Sequence, residues 1–162
     1  MANYAVTNST FEGGVAQNAI TANTSQGATI SVTASSTSGP LRRGKVYDIL
    51  VGTAGTPADA YVEWSMARIT TNSTATAFVA TPLDPADGTA LSVVTINSTT
   101  MGTVTAASEL WYVGVNQRAS YRWVAAPGSE LVWPATSSNG LVLRAKGSAT
   151  VTPTGTILFQ EQ

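Results

Sequence analysis

The sequence predicts an all-β protein built as an antiparallel β-sandwich, and three observations carry that expectation. Residues 120–124 alternate in character, with Tyr121 and Trp123 on one side and Arg122 on the other. A period of two marks a strand with one face on a core. Charged residues make up 10% of the chain, against about 25% in ordinary soluble domains. Threonine, serine, alanine, valine and glycine fill the gap, and β-branched and hydroxylated residues suit strands better than helices. Turn chemistry also recurs at short intervals, as in Ala126-Pro127-Gly128-Ser129. There proline presets φ at the second position and glycine accepts positive φ at the third.

A chain of 162 residues is long enough for one domain with a real core. Residues 1–27 are largely polar, contain Gly13-Gly14, and carry Tyr4, Phe11 and Ile20 as scattered apolar anchors. They read as an extended N-terminal arm ahead of a sandwich domain spanning 28–162. Composition favours a frayed terminus; the sharper reading is a segment that orders on a neighbour, with Tyr4, Phe11 and Ile20 as partner-binding anchors.

Strands follow in order. Residues 28–33 place Ile30 and Val32 on one face. After Pro40, residues 41–52 open a second apolar block behind Arg42, Arg43 and Lys45. With only five other basic residues and a net charge of −1, this basic cluster reads as a solvated or subunit-facing patch and not as a nucleic-acid site. Residues 60–69 alternate, with Val62, Trp64 and Met66 predicted inward. Residues 74–80, 91–96 and 101–105 are further strands. Residues 120–124 and 130–133 read as a hairpin about the turn at Gly128. Asn139-Gly140 is a second reversal before residues 141–144, and Ile157 and Phe159 form the inner face of a closing strand. Several connections are too long for hairpins, so sheet-crossing links fit better than a meander. A jelly roll is the preferred arrangement, with an immunoglobulin-like sandwich second.

The chain has neither cysteine nor histidine, which removes thiolate and imidazole chemistry. No cofactor or metal is expected. Asp84 and Asp87, in the loop Thr81-Pro82-Leu83-Asp84-Pro85-Ala86-Asp87-Gly88, do not match calcium-loop spacing. They read as turn residues in preference to a hydrolytic pair. No apolar run approaches the roughly eighteen residues needed to span a bilayer, and the first residues do not form a secretory signal.

The segments LRRGKVYDILVG, AYVEWSMARIT, TPLDPADG and LWYVGVNQRASYRWVAAPGSELVWPATSSNGLVLRAK together resemble small jelly-roll proteins of tailed bacteriophages, in the group of capsid decoration, or cement, proteins. The resemblance spans residues 40–160 and carries no catalytic signature. It implies a non-enzymatic virion protein, made in the bacterial cytoplasm, that binds the outer surface of a phage shell. Its partner would be the major capsid protein, and its form a homotrimer. The competing expectation is a glycan- or receptor-binding module of a phage tail or fibre, in which Trp111, Trp123 or Trp133 stacks on sugar faces.

Overall fold

The computed structural model describes residues 1–9, 17–21, 27–34, 39–75 and 77–162. Among these, twelve strands and no helix follow one another. They are β1 (Asn3–Thr7), β2 (Gly27–Thr33), β3 (Gly44–Ala54), β4 (Tyr61–Ile69), β5 (Ala77–Phe78) and β6 (Thr81–Pro82). The remainder are β7 (Val93–Ser98), β8 (Val104–Asn116), β9 (Tyr121–Val124), β10 (Leu131–Trp133), β11 (Gly140–Gly147) and β12 (Thr152–Glu161). They form two antiparallel sheets packed as a sandwich. One runs β6-β1-β12-β3, with β9 and β10 both on the far edge of β3; the other runs β5-β7-β2-β11-β4-β8.

Period-two patterning, interrupted in β3 by a register shift against β12 between Val46 and Asp48, decides which side chains meet between the sheets. From the first sheet come Val46, Ile49 and Val51 of β3, and Ile157 and Phe159 of β12. From the second come Ile30 and Val32, Val62, Trp64 and Met66, and Leu141 and Leu143. The sequence places Ile30, Val32, Val62, Trp64, Met66, Ile157 and Phe159 inward, and all seven are buried. Each such side chain contributes about 1.5–3 kcal/mol by leaving water.

The N-terminal segment corrects the expected arm. Asn3–Thr7 is a strand between β12 and β6, in register from Asn3↔Gln160 to Thr7↔Thr156. Tyr4 and Val6 are buried in the core. Asn8, fully buried, ends the strand with a dense set of hydrogen bonds. Its Nδ2 donates to Asn97 Oδ1 and to the Pro153 carbonyl, both at 2.9 Å, and its Oδ1 accepts from Gly155 N–H at 2.8 Å. Ile20, also buried, forms an isolated bridge with Val151. A domain boundary at residue 28 therefore does not hold for these residues: the sandwich needs their backbone and their apolar side chains.

The expected hairpin of 120–124 and 130–133 is also corrected. The turn exists, with Gly128 at φ 84° and Ser129 N–H donating to the Ala126 carbonyl at 2.9 Å. The strands beside it do not pair with each other. Both pair with β3, Val124 opposite Asp48 and Leu131 opposite Val46. They are one edge strand interrupted by an outward excursion over residues 125–130. Elsewhere, the described residues of 74–80 yield the two-residue β5 and a bridge between Thr74 and Thr100. Asp84 does turn work, accepting from Ala86 N–H through its carboxylate at 2.9 Å.

Candidate interaction surfaces

Of the five residues expected at a partner surface, the four that are described separate into two groups. Tyr4 stacks on Phe159 with ring centroids 5.3 Å apart, and its hydroxyl donates to the Gly88 carbonyl at 3.1 Å. Burial, followed by the charges of Glu161 and Asp87, raises its pKa above the ordinary tyrosine value, while Arg42 opposes the shift. Tyr4 and Ile20 are core residues and are not available to a partner. Phe11 lies outside the described residues. Arg42 and Arg43 are exposed just before β3, and the Arg43 carbonyl accepts Gln162 N–H at 2.8 Å. Arg42 lines a shallow depression with Met1, Leu91 and Glu161. There the Glu161 carboxylate accepts backbone N–H groups from Leu91 at 3.1 Å and Ser92 at 2.7 Å.

The tryptophans do not form an exposed row. Trp133 is fully buried against the edge of Phe159, with centroids 5.6 Å apart. Gly44 makes room for its indole: a Cβ there would lie 2.0 Å from Trp133 Cζ2. Trp123 is half-buried on the core. Trp111 meets Tyr121 at 6.1 Å with ring planes tilted by 37°, which joins the β8 and β9 edges of the two sheets. A stacking platform of Trp111, Trp123 and Trp133 is thereby excluded, because one of its rings is core.

A polar cluster that the sequence does not announce lies on the outer face of β4, β8 and β11. Register places Arg144 opposite Ser65, and Lys146 opposite Glu63, on adjacent strands. Ser65 in turn faces Tyr112, and Glu63 faces Gly114. Arg144 is 9% exposed although it points away from the core. Its guanidinium pairs with Glu109 and reaches Ser65 Oγ at 3.4 Å. Tyr112, 59% exposed, donates its hydroxyl to Glu63 Oε1 at 2.8 Å. Glu63 with Ser65, and Arg144 with Lys146, share a face by alternation, whereas Glu109 joins Tyr112 on that face through the register shift of β8 against β4 between Met66 and Ala67. Only the pairing of β4 with both β8 and β11 brings the six side chains together.

The Tyr112 hydrogen bond has a titration consequence. Donation to the Glu63 carboxylate, then burial and the Glu63 charge, raises the phenol above its ordinary pKa. An acid whose folded pKa is raised adds stability below its unfolded pKa and loses it as pH rises through the folded value. Ultraviolet titration of phenolate is therefore expected to show one fewer late-ionising tyrosine in Tyr112→Phe than in the parent, with Tyr4 and Tyr47 ionising late in both. In Glu63→Gln the late step of Tyr112 is expected to move back toward the ordinary tyrosine range.

On the outer face of the other sheet, two ion pairs neutralise the charges. Lys45 Nζ lies 3.1 Å from Glu130 Oε1, and Arg122 grips Asp48 through Nε at 3.1 Å and Nη2 at 2.6 Å. Leu50 and Val124 remain exposed beside the second pair. No protein-family model, curated protein or solved structure matches this chain.

Proposed function

We propose that this protein is a non-enzymatic structural component of a tailed-bacteriophage particle, binding the outer surface of the shell through the major capsid protein and stabilising it as a trimer. The observation that carries this proposal is the strand order. Take the eight principal strands in chain order, counting β9 and β10 as one: β1, β2, β3, β4, β8, β9/β10, β11, β12. The first sheet then reads first-eighth-third-sixth, and the second reads second-seventh-fourth-fifth. This order supports a jelly-roll reading of the sandwich, an architecture that recurs in viral capsid proteins. On this reading β5, β6 and β7 are an insertion that widens both sheets.

Surface chemistry supports the same assignment. The exposed Leu50 and Val124 sit beside a paired Arg122–Asp48 couple, giving an apolar patch with its charge cancelled. Such a surface suits burial against other subunits better than lasting exposure. With Tyr4 and Ile20 in the core, attachment falls to this surface and to the exposed Arg42 and Arg43.

Cosedimentation with shells stripped of their decoration is the test. The full chain is expected to saturate the shells and to raise their melting temperature. Arg42→Ala combined with Arg43→Ala is expected to weaken binding about tenfold, as loss of one or two charge-assisted contacts would do, with the isolated protein's own melt unchanged. Failure of the intact chain to sediment with shells, together with a monomer by light scattering at micromolar concentration, would overturn the assignment.

A further inference from the structure

The polar cluster on the outer face of β4, β8 and β11 calls for an explanation other than stability. Arg144 gives up most of its hydration there while its partner Glu109 stays 44% exposed, and a charge taken out of water is not fully repaid by its ion pair. A sandwich seeking only stability would place an aliphatic residue at this position. What the cluster does provide is a depression of about 260 Å³ lined by Glu63, Ser65, Glu109, Tyr112, Arg144, Ala145 and Lys146. Pockets that enclose drug-sized ligands run to roughly 300–1,000 Å³, so this one has room for a single small ring.

Its lining is amphiphilic in a particular way. Tyr112 supplies an exposed aromatic ring, held in place because its hydroxyl is bonded to Glu63. Beyond it, Gly114 leaves the surface open, with nothing within 4 Å of where a Cβ would stand. Glu63 spends Oε1 on Tyr112 and keeps acceptor capacity on its other oxygen. Lys146 sits opposite Glu63 in register and forms no ion pair among the described residues. An acceptor and a donor therefore stand side by side, next to an aromatic face. Two carboxylates, Glu63 and Glu109, cancel two cations, Arg144 and Lys146. An anionic ligand would meet the first pair and a cationic ligand the second.

The geometry points to a binding site for a neutral saccharide, seated with the C–H face of one pyranose ring on Tyr112 and with neighbouring hydroxyls shared between Glu63 and Lys146. Ring C–H groups present an apolar face to an aromatic side chain, and vicinal hydroxyls each donate and accept, which matches a carboxylate beside an ammonium. The site goes beyond shell attachment and does not depend on it, since it lies on the sheet opposite the one bearing Leu50 and Val124.

Binding is measured on the isolated full chain by saturation-transfer NMR and calorimetry, with methyl glycosides of glucose, galactose, mannose and N-acetylglucosamine. Glucuronic acid and glucosamine serve as charged controls. At least one neutral glycoside is expected to bind saturably, and Tyr112→Ala and Lys146→Met are each expected to weaken it about tenfold. Lys146→Met keeps the stem and removes only the ammonium, so it decides the matter if Tyr112→Ala lowers the melting temperature. Absence of saturable binding by all four neutral glycosides would overturn the site. Binding confined to the charged sugars, or binding indifferent to Lys146→Met, would overturn it equally.

Discussion

Deletion of residues 1–8 is expected to unfold the protein. β1 lies inside the first sheet, bonded to β12 along one edge and to β6 along the other. Its removal strips Tyr4 from Phe159, takes Val6 out of the core, and abolishes the Asn8 bonds to Asn97, Pro153 and Gly155. Two buried side chains at about 2 kcal/mol each and several net hydrogen bonds at about 1 kcal/mol each sum to roughly 8 kcal/mol. That is comparable with the whole 5–15 kcal/mol margin of a typical domain. Near-ultraviolet circular dichroism and a thermal melt report the result. A truncated protein with the near-ultraviolet spectrum and melting temperature of the full chain would mean that β1 is dispensable, and the segment an arm after all.

Gly140→Ala is expected to cost about 3 kcal/mol, at the upper end of what overpacking a core causes. Gly140 opens β11, between β2 and β4, where a Cβ would stand 2.1 Å from the Val32 carbonyl oxygen and 2.6 Å from Thr33 Cα. Those atoms are backbone, so no side chain can rotate aside; the strands themselves must part. Gly88→Ala is the control, because nothing lies within 4 Å of its Cβ position, and a change within about 0.5 kcal/mol is expected there. Urea melts of both variants decide it. Equal midpoints for Gly140→Ala and the parent would mean that β2 and β11 are less closely packed than described.

Gly140 also shows where sequence reading stops. Asn139-Gly140 has the chemistry of a reversal, and a reversal is there. The left-handed residue, however, is Ser138 at φ 64°, and Gly140 is already in the strand. The glycine serves the close approach of a neighbouring strand, which no local pattern encodes. The same limit explains the false hairpin: a Pro-Gly turn looks alike whether its flanking strands pair with each other or both pair with a third. Strands with three or more alternating apolar residues, such as Val62, Trp64 and Met66, were legible because burial imposes the period. β1 offers only Tyr4 and Val6 amid polar residues, too weak a signal to outweigh composition. The cluster of Glu63, Glu109, Tyr112, Arg144 and Lys146 was invisible for a different reason: its members meet only through strand register, and alternation within each strand says nothing about partners.

The interrupted strand made of β9 and β10 bears on how copies of the protein tolerate crowding. A sheet edge offers unpaired backbone groups to any neighbouring chain, and long flat edges invite polymerisation. Among the described residues, one edge of the first sheet is broken by the excursion over 125–130, and the other is the two-residue β6, which contains Pro82. The second sheet ends on the two-residue β5 at one side. On the other side lies β8, long but kinked, with Ala107 at φ 53° and two register shifts against β4. Copies held side by side at high local density would thus find no straight ladder to zip onto. They could be packed closely on a surface without fusing into fibres.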